Sequence, residues 1–115
     1  MKRDSVLSLI SIARKAGKIA AGEFQTENAV KSGKASLVIV SEEASANTKK
    51  KFQNMCTFYE VPVFFYGGKE QLGNAIGCEL RASLAVTDQG LASSIKKKLE
   101  DVRDGGCENG KNQGT

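Results

Sequence analysis

Phe24, Gln25, Asn28 and Lys31 are the first residues of the chain whose types and spacing suit contact with a ligand. They lie between two glycines, Gly22 and Gly33, in a stretch that reads as a helix opened by one glycine and closed by the other. At ~100° per residue, Thr26, Ala29, Val30 and Gly33 share one face, and Phe24, Asn28 and Lys31 lie opposite with Gln25 on the flank. An aromatic ring, two amides and a cation are thus expected on the solvent side of a helix start. The unpaired N–H groups and positive partial charge of such a start suit phosphate. A surface helix with a single exposed Phe accounts for the same residues equally well.

Other chemistry is excluded by composition. The chain has no histidine, which removes Ser-His-Asp and Cys-His catalysis and the commonest transition-metal ligand. Cys56, Cys78 and Cys107 are odd in number and widely spaced, so no disulfide framework, zinc site or cofactor is expected, and a reducing, cytoplasmic setting fits best. Glu42 and Glu43 stand at a strand end, where α/β enzymes place catalytic groups, but without a His or Cys partner nearby they read as a solvated loop. Gly17-Lys18, Gly33-Lys34 and Gly68-Lys69 lack the glycine spacing and hydroxyl of a phosphate loop. A net charge of +4 favours an anionic partner, though only mildly.

The elements that must position these residues alternate between helix and strand. With 115 residues, 40% apolar and 26% charged, one globular domain with its own core is expected. Asp4 or Ser5 caps a first helix whose inner face is Val6, Leu9, Ile10 and Ala13, with Gly17 ending it. Residues 18–21 are extended and lead into the Gly22 helix. Leu37-Val38-Ile39-Val40 is an uninterrupted apolar run, the pattern of a strand buried on both faces. Ser45 caps a helix carrying Thr48, Phe52, Met55, Cys56 and Tyr59 inward and Lys49, Lys50 and Lys51 outward. A strand over 61–66 follows, with Pro62 at its start, where no ladder donor is needed. A helix with Leu72, Ala75 and Ile76 inward, a loop over 78–82 and a strand over 83–87 come next. Asp88 then caps a last helix facing inward with Leu91, Ala92, Ile95, Leu99 and Val102. Four strands and five helices imply a three-layer α/β/α sandwich around a four-stranded mixed sheet. The domain is expected over residues 1–102, and the polar, glycine-rich residues 103–115 are expected to be a disordered tail.

Taken in this order, the residues resemble the kink-turn-binding ribosomal-protein superfamily, the L-seven-Ae family, and within it a small bacterial YlxQ-like branch. The resemblance spans residues 4–101. It rests on the Gly22-to-Gly33 helix, the Leu37-Val-Ile-Val-Ser-Glu-Glu-Ala-Ser45 strand and loop, the Val61-Pro-Val63 strand start, and Leu72-Gly73-Asn74-Ala75-Ile76-Gly77 with the loop to Ser83. It implies RNA binding without catalysis. In that family the RNA site combines a helix start of pattern Gly-x-Asn-Glu-x-x-Lys with the loop before the last strand. The amide and carboxylate read purine edges, the Lys meets base or phosphate, and apolar loop residues pack on a flipped-out nucleotide.

Carried onto this chain, the first segment gives Gly22, Phe24, Gln25 and Asn28, of which only Gly22 keeps the family residue. Gln25 retains hydrogen-bonding capacity, Phe24 offers a stacking face, and Lys31 one turn on stands in for the cation missing at Asn28. The second segment gives Leu80 as the apolar contact and Arg81 as a phosphate contact. Lys34 and Lys69 add positive charge. The resulting expectation is a cytoplasmic protein that binds structured RNA, kink-turn-like and ribosomal, in association with the translation apparatus. A protein-binding adaptor on the same fold is the alternative, which the altered Asn-Glu-Lys pattern and the expected exposure of Phe24 favour.

Overall fold

The computed structural model describes residues 5–106. Its order is α1 (Ser5–Lys15), β1 (Ile19–Ala21), α2 (Glu23–Lys31), β2 (Leu37–Val40), α3 (Ala46–Tyr59), β3 (Val63–Phe65), α4 (Lys69–Ala75), β4 (Ser83–Val86) and α5 (Gln89–Gly106). The strands lie in the order β1-β4-β2-β3. β4 runs antiparallel to both neighbours, pairing Ala20 with Ala85 and Val38 with Ala85. β2 and β3 are parallel, with Ile39 opposite Phe64. The mixed four-stranded sheet expected from the sequence is present.

All four residues of β2 and all four of β4 are buried. Successive side chains of a strand point to opposite faces, so a fully apolar strand requires cover on both. Leu37 and Ile39 join Leu84 and Val86 in one core layer, packed beneath Val6 and Ile10 of α1, Leu72 of α4, and Ile95 and Leu99 of α5. Val38, Val40 and Ala85 form the other layer with Ala29 and Val30 of α2 and Phe52 and Cys56 of α3. The helices therefore sort three to one face and two to the other. Burial in this second layer pushes the Cys56 thiol up to about 11. Among the described residues, no helix is long and apolar enough to cross a membrane.

Several boundaries differ from the sequence expectation. Asp4 lies outside the described residues. The strand expected over 61–66 shrinks to Val63–Phe65, because the Val61 N–H closes the end of α3 on the Cys56 carbonyl instead of joining the ladder. Tyr59, expected inside, is exposed and packs edge-on against Phe58, which is more exposed still. Gly33 is not on the inner face of α2; it follows the helix, exposed, at φ 80°. α5 continues to Gly106, past the boundary expected at 102. Residues 107–115 of the expected tail lie outside the described residues. The expected caps are present: the Ser45 hydroxyl accepts the Thr48 N–H at 3.2 Å, and the Asp88 carboxylate accepts the Leu91 N–H at 2.8 Å.

Candidate nucleic-acid interface

One end of the sheet gathers the start of α2, the loop after β2, the start of α4 and the loop before β4. Gly22 occupies the N-cap of α2 at φ 92°, a backbone that side-chain-bearing residues rarely adopt, and no side chain caps the helix. Its N–H donates to the Ser83 carbonyl at 3.0 Å. That bond extends the β1–β4 pairing by one residue and sets the helix start beside Ser83, where the 78–82 loop enters β4. The Ser41 N–H donates to the Ala82 carbonyl at 2.7 Å, and the Arg81 N–H to the Lys69 carbonyl at 3.1 Å. The loop is thus held from both sides.

Gly73 makes the loop's path possible. A Cβ at that position would lie 1.4 Å from the Glu79 carbonyl oxygen. α4 and the loop touch backbone to backbone, and the Cys78 N–H donates to the Gly73 carbonyl at 2.8 Å. Nothing local in the sequence marks this approach, since a glycine within a helical pattern carries no sign of what it faces.

Six of the nine residues expected at the site line two clefts, and Gly22, Phe24 and Arg81 line neither. Gln25, Asn28, Lys31 and Lys34 line a cleft of about 580 Å³ beside α2, completed by Ala20, Ala29, Ser32 and Thr87. Lys69 and Leu80 line a second cleft of about 460 Å³ with Glu42, Glu43, Gly67, Gly68, Glu70 and Gln71. Gly22 bridges the segments. Phe24 lines neither cleft and stands 70% exposed, and Leu80 is 59% exposed. The Arg81 guanidinium folds back to donate to the Leu80 carbonyl at 2.8 Å.

Three charged residues, Glu43, Lys31 and Lys51, have roles the sequence did not disclose. Glu43, read as a solvated loop residue, accepts the Lys69 N–H at 2.9 Å and so satisfies the start of α4. The Ser41 hydroxyl supports it, accepting the Glu43 N–H and donating to the Gly67 carbonyl. Lys31, expected as a free cation, lies 2.7 Å from Glu27. Lys51 of α3, expected on a solvated face, reaches across to Glu23 at 2.9 Å and Glu27 at 3.0 Å. Hydrogen bonding to Lys31, and then to Lys51, holds the Glu27 carboxyl below its usual value; Glu23, and then Glu27, raise that of Lys51. Lys34 and Lys69 enter no ion pair among the described residues.

These features describe an α/β/α domain around a mixed sheet with two open clefts, one at the Gly22 end of the sheet and one running along α2 to Lys34 and Thr87. The chain belongs to the ribosomal protein L7Ae/L30e/S12e/Gadd45 family, whose model matches residues 4–96. It is similar to the RNA-binding protein YlxQ of Bacillus subtilis, 37% identical over 92 residues that cover 80% of this chain and 92% of that one. The RNA-binding protein YlxQ of Enterococcus faecium is 35% identical over 98 residues, covering 85% and 94%. Among solved structures, a protein of unknown function from Bacillus halodurans C superposes with a TM-score of 0.83 at 35% identity, over 85% of this chain and 99% of that one. The 15.5kD RNA binding protein of Giardia lamblia shares the fold, with a TM-score of 0.74 at 22% identity over 89% and 93%.

Proposed function

We propose that this chain is a non-catalytic RNA-binding protein of the ribosomal kink-turn-binding type, acting in the cytoplasm with the ribosome or the translation apparatus. The observation that carries this reading is the Gly22–Ser83 hydrogen bond, which sets the uncapped start of α2 beside the first residue of β4, where the loop bearing Leu80 and Arg81 ends. A structured RNA laid across that junction and along the α2 cleft to Lys34 meets every residue type needed to hold it. Gln25 and Asn28 hydrogen-bond base edges, Phe24 stacks on a base, Leu80 packs against an unstacked nucleotide, and Lys34, Lys69 and Arg81 meet phosphates. Two relatives more than a third identical bear the name RNA-binding protein, which supports the same reading.

The test is titration of a kink-turn RNA, and of a version with its sheared G·A pairs replaced by Watson–Crick pairs, at several salt concentrations. Three cations that enter no ion pair among the described residues, Lys34, Lys69 and Arg81, predict a log affinity that falls against log salt with a slope of roughly −2 to −3. Preference for the intact kink-turn is the expected result, and equal binding of the two RNAs removes the kink-turn assignment. The second reading, a protein-binding adaptor, is favoured by the 70% exposure of Phe24. A flat salt response, with no nucleic-acid absorbance in protein purified at low salt, decides for it.

A further inference from the structure

The two flanks of α2 are electrostatically unlike. On one flank Gln25 and Asn28 are neutral, and Lys34 just beyond the helix is unpaired among the described residues. On the other, Glu23 and Glu27 sit one turn apart, Lys51 closes on both at 2.9 and 3.0 Å, and Lys31, at the edge of the cleft, turns away from it to close on Glu27 at 2.7 Å. The four charges sum to zero. None of the four is buried: the side chains of Glu23 and Lys31 are 50% and 51% exposed, and those of Lys51 and Glu27 are 39% and 24% exposed.

We infer that Glu23 and Glu27 act as an electrostatic filter on the RNA face, holding Lys31 and Lys51 away from phosphate so that the interface favours base contacts over bare backbone. The inference rests on the RNA-binding reading and sharpens it. A phosphate approaching this flank must either draw a lysine off its carboxylate or lie beside two carboxylates. Both oppose binding, and the opposition scales with backbone charge rather than base identity. A base edge pays no such penalty, since a carboxylate accepts hydrogen bonds from base amino groups. The pairing crosses from α2 to α3, and the Lys51–Glu23 contact spans 28 residues of sequence. Because surface pairs of this kind contribute little to stability, their effect on charge presented to a ligand is the larger one.

The test compares the wild type with a Glu23→Gln/Glu27→Gln variant. The probes are a kink-turn RNA and an oligouridine strand of equal length, titrated from 50 mM salt upward. A Glu60→Gln/Glu100→Gln variant makes the same charge change away from α2 and serves as the control. Circular dichroism and thermal midpoint verify that all three are folded. Releasing two lysines steepens the oligouridine slope by up to about 1.4 and raises its affinity at 50 mM salt on the order of tenfold. A flexible strand can bring phosphates to both released lysines, whereas a folded RNA held by its bases cannot shift to meet them. The preference for the kink-turn over oligouridine is therefore expected to shrink in the Glu23→Gln/Glu27→Gln protein and to hold in the control. If that preference and the slope move no more than in the control, the filter is overturned while RNA binding stands. If neither RNA binds any of the three proteins, the RNA-binding reading fails and the filter with it.

Discussion

The two ends of the sheet are built differently. At the end holding Gly22, Glu43, Lys69 and Leu80, turns are closed by residues distant in sequence: Gly22 on Ser83, Ser41 on Ala82, Glu42 on Gly67, and Arg81 on Lys69. At the opposite end the helices close on themselves. The Lys18 N–H donates to Ala13, that of Lys34 to Ala29, and that of Val61 to Cys56, while Ser36 on Val86, Val38 on Pro62 and Thr87 on Lys18 close this end over long range as well. A cleft of about 500 Å³ exists there too, lined in part by Gly33, Glu60, Pro62, Gln89 and Lys96. Each end also carries an exposed aromatic, Phe24 at 70% and Phe58 at 78%. A cleft and an exposed ring therefore do not distinguish the ends. Side-chain closure between elements marks the first end: the Ser41 hydroxyl donates to the Gly67 carbonyl and Glu43 accepts the Lys69 N–H, which fixes the loop after β2 against the start of α4 before any ligand arrives and lowers the ordering cost of binding.

The hardest way to break this contrast is Gly73→Ala. The new methyl meets backbone, not a flexible side chain, so α4 and the 78–82 loop must separate. The expected cost is about 3 kcal/mol in urea unfolding, at the high end of overpacking. RNA affinity is expected to fall with it, even though Gly73 is buried. A variant as stable as the wild type shows that the loop yields freely and that this end is not rigid.

Asn28→Lys sharpens the contrast instead. Asn28 is exposed and lines the α2 cleft, at the position where the resemblance wants a cation. A restored charge-assisted contact is worth ~1.5–3 kcal/mol, a tenfold to hundredfold gain in kink-turn affinity. Asn54→Lys, at an exposed position of α3, controls for added charge. Equal gains from both, measured by titration, place position 28 outside the interface.

The paired aromatics give a third, smaller effect. Phe24→Ala is expected to lose about 1 kcal/mol of RNA affinity, the lower end of base–aromatic stacking, while Phe58→Ala loses none. Equal losses show that RNA touches both ends. The smallest effect belongs to the opposite end alone. Glu60 caps α3 in a left-handed conformation at φ 60°, which suits glycine better. Glu60→Gly is expected to raise stability by about 0.5–1 kcal/mol, read as an upward shift of the thermal midpoint, with RNA binding unchanged.

What the sequence disclosed follows the same division. The strands Leu37–Val40 and Ser83–Val86 were legible because uninterrupted burial writes itself into consecutive residues. Gly22, Ser45 and Asp88 were legible because a helix end is a local matter. The amphipathic period also named Phe52, Ile95 and Leu99 as core. That period has no knowledge of where the sheet beneath a helix stops, so it carried Tyr59 inward one turn too far. Glu43 on α4, Lys51 on Glu23 and Glu27, and Gly73 against Glu79 were not legible. Each depends on a partner from another element, and no spacing rule within one element contains it. The site residues were found as types, and the pairing that occupies Lys31 was not.

The position of β4 has a consequence for how the protein comes into being. β4 lies between β1 and β2, yet it is the last strand in the chain. Until Ser83–Val86 leaves the ribosome, only the parallel β2–β3 pair can form, and parallel pairing is slow. β1 then has no partner, and Gly22 has no Ser83 carbonyl to bind. The growing chain therefore lacks the assembled end of its sheet through most of its synthesis and acquires it late, once β4 is available to both of its neighbours. A translation product cut short before Ser83 carries the residues of the α2 cleft but not the surface they belong to.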